Sequence, residues 1–228
     1  MPLIRKNFNV DGKLKKATLY ICGLGHFELS LNGKKVSDHF LDPGWTKYDK
    51  QALYVPFDVT SQLLSGKNTI GVMLGNGFYY IPRDKRYRKL TGAFGYPKMI
   101  CRLMLEYDNG KVENVVSDGS WKTAPSPVTF SSIYGGEDYN ANFEQSGWNT
   151  NNFDDLKWRN VVKVDGIPEL SAQMAEPLKI MQVLKPRSKK QLANGAWIYD
   201  LGQNFSGIPQ ISLLGKKGIL CALSPPNW

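Results

Sequence analysis

Two Asn-Gly pairs, each set between runs of alternating apolar and polar residues, constrain this chain more than any other feature. They are Leu31-Asn-Gly-Lys34 and Tyr107-Asp-Asn-Gly-Lys111. Asn and Gly accept the positive φ that tight hairpin turns require, so the flanking runs are expected to pair as antiparallel strands. Further β-rich runs lie at residues 17–22, 27–31, 52–58, 69–74, 99–107, 112–117 and 128–132. Ser65-Gly66 and Gly75-Asn-Gly77 punctuate them. Many short strands at this spacing predict an all-β chain, an antiparallel β-sandwich of jelly-roll type over about residues 15–165. Helix signals are scarce. One turn is predicted near 60–64, where Asp58 precedes a Leu pair, and another near 152–156.

Residues 167–177 carry two prolines and no periodicity, so they read as a linker after a first domain at 1–166. Strand-like runs then resume at 179–184, 196–200 and 208–213. Three strands cannot close a sheet of their own, so 178–228 reads as the first strands of a second β-sandwich. Their edges and apolar faces are expected to lack cover, and 219–228 to be disordered or held only by intermolecular contacts.

The chain carries 29 Lys and Arg against 20 Asp and Glu, a net charge of +9. The basic clusters at 13–16, 83–89 and 185–190 lie on no helix and within no recognised nucleic-acid motif. They read as solvated surface charge, and no nucleic-acid partner is expected. No apolar run approaches the roughly 20 residues that span a bilayer, and no signal peptide opens the chain, so no membrane partner is expected either. The three cysteines show no CxxC spacing and there are only two histidines, which argues against zinc. Gly23-Leu-Gly25 follows a strand, but a strand rather than a helix comes next, which excludes a dinucleotide-binding loop.

Tyr134-Gly-Gly-Glu-Asp-Tyr-Asn-Ala141 and the stretch through Trp158 are dense in aromatics, amides and carboxylates. Sugars present hydroxyls to amides and carboxylates and C–H faces to rings, so such a loop suits a glycan. The bland alternative is a surface loop pinned by Trp148 and Trp158. Two carboxylate doublets stand out, Glu137-Asp138 and Asp154-Asp155. Glycoside hydrolysis needs two carboxyls facing each other across a bond, roughly 5–9.5 Å apart. Strand neighbours point to opposite faces, so neither doublet is such a pair, and no catalytic residue is assigned. Asp42, Asp49, Asn76, Asp138 and Asn140 all lie in loops, where turn chemistry and calcium ligation are both open readings.

Several segments, in order, carry a family resemblance. They are residues 19–36, Leu41-Asp-Pro-Gly-Trp-Thr-Lys-Tyr-Asp49, Tyr54-Val-Pro-Phe-Asp-Val-Thr60, Leu74-Gly-Asn-Gly-Phe-Tyr79, Tyr134-Gly-Gly-Glu-Asp-Tyr-Asn-Ala141, Phe153-Asp-Asp-Leu-Lys-Trp158 and residues 197–207. Together they resemble the N-terminal region of bacterial α-L-rhamnosidases of glycoside hydrolase family 78. The resemblance implies an accessory sandwich that assists recognition of rhamnose-containing glycans, in some relatives with calcium. It also implies that catalysis belongs to an (α/α)₆ barrel outside these 228 residues, that this chain is inactive alone, and that the parent protein is periplasmic or secreted. The rival reading is a module with no ligand that braces the barrel, the catalytic domain being its partner.

Under this resemblance the sugar-binding residues are expected to be Trp45, Tyr48, Asp49, Asn76, Phe78 and Tyr79, with Glu137, Asp138 and Tyr139 as a second candidate loop. Asp49 and Asn76 are the candidate calcium ligands, although the Lys50 ammonium repels a divalent ion. The tail from Ile219 departs from the family pattern, as a shifted reading frame would make it.

Overall fold

The computed structural model describes residues 1–86, 94–216 and 218–223. Its strands are β1 (Pro2–Val10), β2 (Leu14–Leu24), β3 (Phe27–Leu31), β4 (Lys34–Lys35), β5 (His39–Phe40) and β6 (Gln51–Asp58). They continue with β7 (Gly66–Leu74), β8 (Lys98–Tyr107), β9 (Val112–Val116), β10 (Lys122–Pro125), β11 (Val128–Ser132) and β12 (Gly136–Tyr139). The series ends with β13 (Arg159–Asn160), β14 (Glu169–Ala172), β15 (Leu178–Lys179), β16 (Ser188–Gln191) and β17 (Trp197–Asp200). Among the described residues helix is confined to single 3-10 turns at Thr60–Gln62 and Ala141–Phe143. The first lies where the sequence places it. Residues 152–156 form no helix.

The chain divides into two units, Met1–Ile180 and Met181–Trp228. The first is a β-sandwich. One sheet has the order β13-β10-β1-β7-β3-β4 and the other β14-β6-β2-β8-β9. Pairing is antiparallel throughout except between β14 and β6. Alternation on each strand fills the space between the sheets. Ile4, Phe8, Ile70 and Val72 meet Leu19, Ile21, Leu103 and Leu105 in a single apolar cluster closed by Trp121. Each such side chain contributes roughly 1.5–3 kcal/mol by leaving water.

The first Asn-Gly pair makes the β3–β4 turn, with Leu31 opposite Lys34 and φ of 51° at Asn32 and 85° at Gly33. Two consecutive positive φ angles match the right-handed strand twist, which is why Asn-Gly is needed there. The second pair joins β8 to β9, with the Gly110 N–H donating to the Tyr107 carbonyl.

Three differences from the sequence reading have physical causes. Strand β1 was not expected, because Arg5, Lys6 and Asn7 interrupt its apolar pattern. It runs between β10 and β7 in mid-sheet, with Arg5 fully buried. The stretch read as a linker contains β14, which lies parallel to β6 from Glu169↔Gln51 to Ala172↔Tyr54. An open sheet edge recruits backbone, and backbone pairing needs no side-chain periodicity. Consequently the first unit runs to Ile180 rather than ending at 166.

The second unit, taken by itself, holds the β16–β17 hairpin, with the Lys189 ammonium 5.4 Å from the Trp197 ring centre. Its apolar side chains, among them Val183, Trp197, Ile198 and Tyr199, are exposed. Of the run at 179–184 only Lys179 lies in a strand, as the end of β15 in the first unit, and residues 208–213 form no strand. Residues 224–228 of the tail lie outside the described residues, whereas 219–223 are exposed and irregular.

Candidate functional site

One end of the sandwich is built by two glycine turns pressed together. The Gly75 N–H donates to the His26 carbonyl at 2.6 Å. Gly25 sits at φ +117°, and a Cβ there would collide with the Gly75 carbonyl oxygen. The Gly23-Leu-Gly25 motif therefore serves close backbone approach, which fixes the turn at 75–80 beside the β2–β3 corner. The buried Asn76 amide donates to the Ser131 carbonyl at 2.8 Å, tying that turn to β11.

The expected site residues separate into two groups along this turn. Trp45 is 67% exposed and stacks on Phe78, with centroids 4.9 Å apart and planes 22° apart. Tyr48 and Tyr79 are 6% and 3% exposed and belong to a small second core with Cys22, Leu24 and Ala52. Their rings meet edge to face at 5.2 Å, and both contact Phe94. Protein already covers these rings, so neither can stack on a sugar; that expectation is corrected. Burial pushes the Tyr48 phenol up to about 12 and that of Tyr79 upward, so both remain neutral.

Asp49 is exposed, with its carboxylate 3.8 Å from the Lys47 ammonium. Asn76 is committed to Ser131 instead. Calcium takes six to eight oxygen ligands. Among the described residues no three His, Cys, Asp or Glu side chains gather as a cation cage would require. Two lysines flank Asp49 in sequence, and the Asn76 amide points its N–H₂ at a carbonyl. The pair therefore does not fit a calcium site.

The second candidate loop is the exposed strand β12, paired with β11. Burial and the nearby Glu144 carboxylate push the Tyr139 phenol upward, and Glu137 lies opposite Ser131. The Asp138 carboxylate accepts two bonds from the Arg86 guanidinium, at 2.9 and 2.7 Å. That guanidinium lies 4.0 Å over the Phe130 ring and also reaches Asp84 at 3.1 Å. A groove of about 390 Å³ opens beside this clamp, lined by Asn76, Tyr80, Pro82, Tyr96, Pro97 and Phe130 among others. Tyr80 and Tyr96 pack with centroids 5.3 Å apart. Sequence reasoning missed Tyr80, Tyr96, Phe130 and Arg86. The only available signal was that Tyr80 directly follows the 74–79 motif.

The remainder of the aromatic-rich loop covers the outer face of the six-stranded sheet. Asp155 pairs with the buried Arg5, whose guanidinium also donates to the Thr150 carbonyl at 2.9 Å and lies 5.4 Å over Phe153. Asn149 donates to Ser30 and Asn151 to the Lys67 carbonyl. Trp148 stacks on Trp158 at 6.3 Å, and the Trp158 indole N–H donates to Gln145. These side chains are spent on holding the loop, so the pinned-loop reading holds for 145–158.

The family model described as Alpha-L-rhamnosidase N-terminal domain matches residues 12–182. The chain belongs to this family. An α-L-rhamnosidase of Formosa agariphila is 39% identical over 222 residues, which is 95% of this chain and 23% of the relative. The solved α-L-rhamnosidase of Dictyoglumus thermophilum superposes with a TM-score of 0.81 at 40% identity, over 90% of this chain and 22% of that one. The Streptomyces avermitilis α-L-rhamnosidase, solved in complex with L-rhamnose, gives 0.82 at 32% identity, over 89% and 20%. The chain thus spans less than a quarter of the length of each of these relatives.

Proposed function

We propose that this chain is the non-catalytic front part of an α-L-rhamnosidase and assists recognition of rhamnose-containing glycans. The observation that carries this reading is Trp45, a large ring left 67% exposed and backed by Phe78 on a turn that is itself tightly pinned. A flat, preorganised aromatic face suits the C–H face of a sugar. Hydrolysis is assigned to the remainder of the parent protein, because Asp138 and Asp155 are both engaged by arginines here. L-rhamnose titration of the 228-residue chain, followed by tryptophan fluorescence and amide shifts, tests the reading. Affinity near millimolar, about −4 kcal/mol, is expected, and it should be the same in calcium and in EDTA.

The burial of Tyr48, Tyr79 and Asn76 favours a second reading, a ligand-free brace for the catalytic domain. Titration with no shift at Trp45 or at 75–80 would leave this brace as the function.

A further inference from the structure

We propose that the groove between the 75–80 turn, β11 and Tyr96-Pro97 is a second sugar subsite. It would take an uncharged residue next to the one that meets Trp45. The proposal rests on the glycan reading above and adds the class of ligand, a neutral oligosaccharide rather than a single sugar.

The first support is the division of labour on one turn. Phe78 stacks on Trp45, whereas Tyr80, two residues on, packs against Tyr96. The turn is held by the Gly25–Gly75 approach and by the Asn76–Ser131 bond, so both aromatic surfaces are presented by one rigid support. Binding to such a support costs little ordering entropy. Tyr96 is 79% exposed, so most of its ring is left to solvent rather than buried in a core.

The second support is the chemistry of the walls. At about 390 Å³ the groove lies within the range of ligand pockets, roughly 300–1,000 Å³. Tyr80, Tyr96, Phe130, Pro82 and Pro97 supply apolar faces, while Asn76, Thr129 and Ser131 place polar groups among them. That mixture suits a ring with C–H faces and hydroxyl edges.

The third support is charge. The Arg86 guanidinium on Phe130 is shared between Asp84 and Asp138, and the Met1 ammonium that lines the groove donates to the Val128 carbonyl at 2.9 Å, so two cations face two carboxylates and these four groups carry no net charge. A ligand carboxylate would have to displace Asp138 from a bidentate pair, whereas a hydroxyl can bond to the pair as it stands. An uncharged ligand follows, and its binding should respond little to salt.

The test compares L-rhamnose with a neutral rhamnose-terminated disaccharide on the full chain, by titration calorimetry. In the unmodified chain the disaccharide should bind about tenfold more tightly than L-rhamnose. Tyr96→Ala should remove that advantage and leave L-rhamnose affinity unchanged. Thr129→Trp, which fills the groove from its exposed rim, should do the same, and amide spectra confirm that each variant is folded. Raising salt from about 0.05 to about 0.5 M should change the affinity less than about twofold. If L-rhamnose binds but the disaccharide gains nothing, or keeps its gain in both variants, the groove is overturned while the glycan reading stands. A preference for a uronate-bearing disaccharide would overturn the neutral-ligand assignment. If neither sugar binds the unmodified chain, the glycan reading and the groove fall together.

Discussion

Two loops of this sandwich draw on the same residue types and use them in opposite ways. Residues 145–158 bring tryptophans, asparagines and aspartates to the outer face of the six-stranded sheet. There Trp158 is buried, Asp155 meets Arg5 and the asparagines bond to neighbouring strands. At the 41–49 and 75–80 turns, Trp45 remains open over Phe78, and Tyr80 packs only against the exposed Tyr96 among the ring contacts of the described residues. Aromatic and amide content therefore does not separate a ligand loop from a structural one. The partners of the side chains do, because a ring or carboxylate already satisfied by protein has nothing left to offer a ligand.

Truncation of the two tryptophans gives the sharpest contrast. Trp158→Ala should cost about 3–5 kcal/mol in urea unfolding, since a buried indole leaves a cavity and Gln145 loses its donor. An effect under about 1 kcal/mol would break the comparison. Asp155→Ala should cost about 3 kcal/mol, because the buried Arg5 charge loses its partner. A well-packed Arg5→Met, Asp155→Leu double variant should recover most of that loss, which would show that the unpaired charge is the cause.

On the other side of the contrast, Gly25→Ala should cost about 2–3 kcal/mol through strain and collision with Gly75. It should also shift the amide signals of the 75–80 turn. Movement at 145–158 without movement at 75–80 would contradict the positioning role.

The two buried thiols offer a check that spans the sandwich. Burial pushes Cys22 and Cys101 up to about 12 from an ordinary value of 9.0. Their contribution to stability is complete below about pH 9, where neither folded nor unfolded thiol is ionised. It is lost as pH rises toward 12, because the unfolded chain then releases protons that the folded chain retains. The urea midpoint should fall across that window, and Cys101→Ala should flatten the fall. Below it, iodoacetamide should modify the exposed Cys221 and spare the other two.

Trp45→Ala should have the smallest effect on stability, within about 0.5 kcal/mol, while removing the response to L-rhamnose. Loss of binding without loss of stability would place Trp45 at the ligand. Comparable loss of both would assign it to the fold.

Much of the architecture was legible in the chain itself. The Asn32-Gly33 and Asn109-Gly110 turns, the alternating runs that became β2, β3, β6, β7, β8 and β9, and the 3-10 turn at Thr60–Gln62 follow from local rules. Those rules act over a few residues, through positive φ at a turn and a two-residue period on a strand. The ordered motifs likewise carried the family, because each is a short string whose spacing survives translation into structure.

What lay beyond the sequence depends on partners far along the chain. Strand β1 was hidden because Arg5 looks like a surface residue until Asp155, 150 positions away, supplies its counter-charge. The pairing of β14 with β6 joins residues more than a hundred positions apart through backbone groups that no side-chain pattern records. Tyr48 and Tyr79 read as sugar platforms and Tyr80 and Tyr96 did not, yet all four are tyrosines in loop sequence. Which of them stay open was decided by which rings the fold covered, a property of long-range packing rather than of residue type.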